Sequence, residues 1–166
     1  MAELTQKERL QPSLLDRLTD NNPETNVESR VQRVLSIQQL RKSVIRDLGW
    51  LLNTGNLESQ VDLDRYPVAA HSVINYGIPE IAGVTTAGLE ADAIEQAVKQ
   101  AVIDFEPRIL RNTINVKMII DHAQMSTNSV VFEIEGELWA HPTPLRVFLK
   151  TELDLETGGV EVSDHS

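Results

Sequence analysis

The sequence predicts an α+β domain in which helices pack on one face of a small antiparallel sheet. Three observations point there. Apolar residues recur at three- and four-residue steps in the first two-thirds of the chain, and at two-residue steps after it. The change of period falls at a proline, Pro107. The alternating runs that follow are joined by short polar loops, which suit hairpins rather than crossover connections. Helices first and strands later is the α+β order.

Taken in order, residues 1–27 read as an N-terminal arm and residues 28–166 as a single domain. The arm is polar and carries Pro12, Pro23 and the cluster Asp20-Asn21-Asn22. Within it Leu14, Leu15 and Leu18 make one apolar turn at helical spacing, which either docks on another chain or packs back on its own core. From Glu28 to Leu52, Val31, Val34, Leu40, Val44, Leu48 and Leu51 mark one buried face of a long helix, with Asn26 as a cap and Gly55 suited to end it. The same helix gathers Arg30, Arg33, Arg41, Lys42 and Arg46 against Asp47, a basic face in an acidic protein. Residues 53–89 are rich in Gly, Pro and Asn and read as loop, with a short helix beginning near Ser72–Asn75. A second amphipathic helix spans Glu90 to Phe105, its face formed by Ile94, Val98, Val102 and Phe105.

Beyond Pro107 the strands are read from alternation. Ile114, Val116, Met118 and Ile120 form the first; Val130, Phe132, Ile134 and Leu138 the second; Val147, Leu149, Thr151, Leu153 and Leu155 the third. A short last strand at Val160–Val162 follows Gly158-Gly159. Loops at Gln124–Asn128 and His141–Pro144 make this a meander.

Composition removes several functions. A net charge of −10 argues against nucleic acid as a partner, since phosphate chains call for clustered Lys and Arg. Aromatics at 4% weaken any reading as a sugar cleft or base-stacking surface. There are no cysteines, which excludes disulfides and thiolate metal sites. The N-terminus lacks a signal-peptide core, and no apolar run approaches the ~20 residues that span a bilayer. The expectation is a cytoplasmic protein without membrane insertion.

Candidate chemistry is sparse. His71, His122, His141 and His165 show no metal-ligand spacing, so no metal site is expected, and no cofactor. Asp104 and Glu106 lie two apart, but carboxylates are abundant here, and Arg108 favours the charged form of Glu106 instead of the neutral form a general acid needs. No catalytic residue is assigned. The informative stretch is Glu106-Pro107-Arg108. Pro107 lacks an N–H and clashes with the carbonyl four residues back, so the helix stops beside it. Glu106 is pushed toward extended backbone, where residues two apart share a face. The proline therefore sets an acid and a base side by side at a rigid corner. Such a pair can close on itself, bond the nearby backbone, or cross to a partner.

Five stretches in fixed order, PSLLDRL (Pro12–Leu18), LRKSVIRDLGWLLNT (Leu40–Thr54), YPVAAHSVINYGIPEIAG (Tyr66–Gly83), FEPRI (Phe105–Ile109) and VVFEIEGELW (Val130–Trp139), closely resemble the TssE family. These are small baseplate wedge subunits of type VI secretion systems, within the phage baseplate family historically called lysozyme-like. The resemblance covers nearly the whole chain. It implies a non-catalytic structural role in the cytoplasm, at a baseplate docked on the inner membrane, and a fold related to the handshake part of contractile sheath subunits. Its implied partners are other wedge subunits and sheath subunits. Carried over by position, the family's signature is Glu106, Pro107 and Arg108, implied to help attach the first sheath ring. Leu14, Leu15, Leu18, Arg41 and Arg46 would face wedge partners. The physical mechanism that fits is strand addition at an open sheet edge, with the charged pair registering the incoming chain. The family's older name implies the competing reading, a peptidoglycan hydrolase.

Overall fold

A computed structural model describes residues 13–19, 24, 37–81, 91–119, 129–139, 144–154 and 157–165. The helices are α1 (Leu14–Leu18), α2 (Ile37–Leu52), α3 (Pro67–Ala70) and α4 (Ala91–Phe105), followed by strands β1 (Asn115–Ile119), β2 (Ser129–Leu138), β3 (Leu145–Asp154) and β4 (Val160–Asp164). The α+β expectation is met: the strands form one antiparallel sheet in the order β1-β2-β3-β4. Of the long first helix, the part before Ile37 lies outside the described residues, as do His122, the Gln124–Asn128 loop and His141.

The two-residue period sorts the strands into faces. Val116, Val130, Phe132, Ile134, Val147, Leu149 and Leu153 are buried and join Leu40, Val44, Leu48, Leu51, Val98 and Val102 from the helices in one core. At roughly 1.5–3 kcal/mol for each such side chain removed from water, this shared layer is what holds helices to sheet. Thr151 is the polar member of the inner face, and its hydroxyl donates to the Phe132 carbonyl at 3.2 Å, so its burial leaves no orphan. The other face pairs charges across the strands, Lys117 opposite Glu133 and Glu133 opposite Lys150. Within the core, α2 packs beside β4, α4 beside β1, and the two helices touch.

From the end of α2 to Ile81 the chain is built of short, well-bonded turns and of α3, a helix in a stretch that the sequence reads as loop. Asn56 caps a 3₁₀ turn at Leu57–Ser59, accepting from the Ser59 N–H at 3.1 Å. The Ser72–Asn75 expectation appears as a 3₁₀ turn over Val73–Asn75, capped by Ser72. The stretch closes by a parallel bridge: Asn56 N–H donates to Ile78 O and Ile78 N–H donates to Thr54 O, each at 2.9 Å. Gly77 makes the closure possible, with φ +127°; any Cβ there would strike the Thr54 carbonyl oxygen.

Candidate functional site

The corner after α4 is built as Pro107 dictates. The Glu106 N–H makes the last helical bond, to Val102 O at 2.9 Å, and the chain leaves the helix. Arg108–Leu110 then runs beside the end of β2: Trp139 N–H donates to Arg108 O at 2.7 Å and Leu110 N–H donates to Glu137 O at 2.8 Å. Ile109 sits directly over Gly136, where an added Cβ would lie 2.7 Å from the Ile109 Cγ2. The glycine in β2 is there to admit that side chain.

Glu106 is only 2% exposed. Its Oε1 accepts from the Arg108 backbone N–H at 3.1 Å and from Arg108 Nε at 2.7 Å, while Oε2 accepts from Arg108 Nη2. The fork is bidentate, the geometry in which guanidinium and carboxylate bind best. Arg108 also donates to Asp47 Oδ2 at 2.6 Å and to Ser43 Oγ at 3.1 Å, both on α2. Burial works against the Arg108 cation, but its bonds to Glu106 and then to Asp47 outweigh that, and its pKa is raised. The acid and base are therefore closed on one another and stitched to the first long helix, with Pro107 alone of the triplet exposed.

The corner is the end of a longer chain of alternating charge. Asp47 also accepts from Arg46 Nε at 2.8 Å, and Arg46 Nη1 donates to Asp16 Oδ1 on α1 at 2.7 Å. Asp16, Arg46, Asp47, Arg108 and Glu106 thus connect the arm to the corner without a gap. Asp16 is pulled below its ordinary value: partial burial opposes this, and the bonds from Arg46 and Ser13 overcome it. Tyr76, edge-on to Phe105 with ring centres 5.2 Å apart, has its phenol pKa raised by burial and then by the charges of Asp47 and Glu106.

The other predicted site residues divide into two groups. Leu14, Leu15 and Leu18 point outward and are exposed, while Asp16 on the same turn makes the contact to α2. Arg46 is occupied by Asp16 and Asp47, and its guanidinium lies 5.1 Å from the Trp50 ring centre. Arg41 pairs with Asp164 at 2.9 Å and donates to Arg146 O at 3.3 Å, tying α2 to the last two strands. The basic helix spends these arginines inside the molecule.

Sequence reasoning missed the residues that dress the sheet edges. Glu95 of α4 accepts from the Met118 N–H at 2.7 Å on the outer side of β1. Asn53, just past α2, stands in for a neighbouring strand at β4: its Oδ1 accepts from Val160 N–H and its Nδ2 donates to Val160 O, both at 2.8 Å. Nothing in the local pattern distinguishes Asn53 from an ordinary helix-ending asparagine. As for chemistry, Asp104 is held by His71 at 2.7 Å and Gln100 at 3.0 Å, and Glu106 by Arg108. Among the described residues, no group of three or more His, Asp or Glu side chains could hold a metal ion. Nor is any helix among them long and apolar enough to cross a membrane.

The family model of baseplate wedge protein gp25 matches residues 38–143, a span that includes α2 from its second residue, α4, the corner, β1 and β2. This chain belongs to the baseplate wedge gp25 family. No curated protein and no solved structure matches it. The corner bonds the end of α4 and the end of β2 to α2.

Proposed function

We propose that this protein is the TssE-type wedge subunit of a type VI secretion baseplate. In this reading it is a non-catalytic cytoplasmic part at the inner-membrane-docked baseplate that seeds the contractile sheath. The observation that carries the reading is the buried Glu106–Arg108–Asp47 lock in a chain of the baseplate wedge family. Glu106 is too enclosed to reach a partner, so the triplet acts by shaping what the partner meets. Arg108 holds α2 at Ser43 and Asp47; α2 in turn grips β4 near both ends, through Asn53 at Val160 and Arg41 at Asp164. No strand lies beyond β4 among the described residues. Beyond Val160, whose N–H and carbonyl Asn53 already occupies, an edge held in register by a fixed helix is a template on which a sheath strand can add, in the manner of the sheath's own handshake. The exposed Leu14, Leu15 and Leu18 supply an apolar contact for a neighbouring wedge subunit, with Arg46 anchoring their turn through Asp16.

The test uses cells that assemble fluorescent sheaths. Glu106→Ala and Arg108→Ala, each checked for folded protein, are expected to abolish sheath formation, whereas Pro107→Ala should lower it less. Normal sheaths with either of the first two would sink the reading. The hydrolase alternative predicts clearing of a cell-wall suspension by the wild type and its loss in Glu106→Gln. A carboxylate fully engaged by Arg108 favours no clearing by either.

A further inference from the structure

The unit Tyr66–Asn75 turns the ordinary pattern of a loop inside out. Ala69, Ala70 and Asn75 lie on its inner side, while Tyr66, Val68, Val73 and Ile74 are exposed, Val68 at 85% and Val73 at 81%. Scattered exposed valines need no explanation, but several large apolar residues on one small unit do. The unit is also firmly built. The buried Asn75 carboxamide donates to Ala70 O and accepts from Glu58 N–H, each at 2.9 Å; the Ser72 hydroxyl donates to Ala69 O at 2.8 Å; and His71 is bonded to Asp104 on α4 at 2.7 Å. A surface already rigid loses little entropy when something binds it.

Charge decides what that something is. Glu58, Asp62 and Asp64 stand exposed beside the unit, Glu58 directly bonded to Asn75, and Arg65 is the only Lys or Arg from Leu57 to Asn75. An acidic rim repels an anionic lipid surface or a nucleic acid. It also repels a second copy of the same patch, because like charges would meet across the interface. It attracts Lys and Arg.

We propose that Tyr66–Asn75 is a docking platform for a basic amphipathic segment of another protein. Apolar side chains of that segment seat on Val68, Val73 and Ile74, and its flanking Lys and Arg residues pair with Glu58, Asp62 and Asp64. The platform shares no side chain with the Glu106–Arg108 lock, although His71 ties it to Asp104, two residues before Glu106.

The experiment selects displayed random peptides against the full purified chain and measures binding of the enriched sequences by fluorescence anisotropy. Enrichment of sequences alternating apolar residues with Lys or Arg is expected. Their binding should fall about tenfold in Val68→Ser/Val73→Ser, as removal of a central apolar contact does. Asp64→Lys, a second variant at an exposed position, should weaken the same peptides and improve acidic analogues. Added salt should weaken binding to the wild type. Acidic or neutral winners, equal binding to Val68→Ser/Val73→Ser, or no enrichment would overturn the proposal. So would a dimer in sedimentation that Val68→Ser/Val73→Ser dissolves, since the occupant would then be a second copy.

Discussion

The corner at Glu106–Leu110 and the unit at Tyr66–Asn75 are both short stretches beside α4, and each is organised by one buried polar side chain. They use opposite chemistry. The corner turns charge inward: Glu106 is buried and satisfied by a guanidinium, which must then be satisfied by α2. The other unit buries a neutral carboxamide, Asn75, that satisfies backbone groups within its own neighbourhood and leaves apolar side chains outside. A buried charge demands a distant partner and so couples elements; a buried amide can be satisfied locally and so leaves a self-contained module. The difference suits a brace in one place and a surface in the other.

That contrast can be broken experimentally. The largest effect is expected for Arg108→Ala, which strands Glu106 in the interior and should cost about 3–5 kcal/mol in urea unfolding, as loss of one partner of a buried pair does. Arg108→Lys should recover only part of it, because an ammonium cannot serve Glu106, Asp47 and Ser43 as a planar fork does. Next comes Asn75→Ala, expected to cost about 2 kcal/mol by leaving the Glu58 N–H and Ala70 carbonyl without their partner. Its effect should stay local, with faster hydrogen exchange confined to Glu58 and the Tyr66–Asn75 unit; exchange quickening at Arg108 as well would erase the distinction between brace and module.

Smaller effects follow from titration. Tyr76 has a folded pKa raised above the ordinary value near 10, so its contribution is complete below that pH and is lost as pH rises toward the folded value. Alkaline unfolding should therefore be gentler in Tyr76→Phe. Asp16 has a folded pKa lowered from about 3.8, so its contribution is present above that pH and disappears as acid takes the solution down through the folded value. The amide signals of Leu14–Leu18 should move toward unfolded positions there while the sheet remains intact. The pair is partly solvated, so Asp16→Asn should cost about 0.5–1 kcal/mol at neutral pH.

Much of the architecture was legible because it is local. The strand boundaries came from alternation and α4 ended where Pro107 required; Glu106 and Arg108 do meet, but across a turn closed by Ile109 N–H to Glu106 O at 3.2 Å, where extended backbone was expected. The acid and base closing on one another was one of three outcomes the local geometry allowed. That they would also recruit Ser43 and Asp47 was not visible, since those residues lie on a separate helix and their spacing carries no signal. The basic face of α2 shows the limit most clearly. Its charge is plain in the sequence, but the engagement of Arg41 and Arg46 by Asp164, Asp47 and Asp16 of the same chain is not.

By itself the sequence determined α4, the described part of α2, the antiparallel meander, the proline that stops α4 and the resemblance to a baseplate family, all of which depend on period, backbone restriction and residue order. Only the tertiary structure decided that Glu106 would be buried, that Asn53 would take the place of a strand beside Val160, and that Tyr66–Asn75 would face outward. Each of those outcomes sets a group's exposure and partners across long stretches of chain. Such pairings are settled by how helices and sheet pack together to exclude water, a condition that no local pattern encodes.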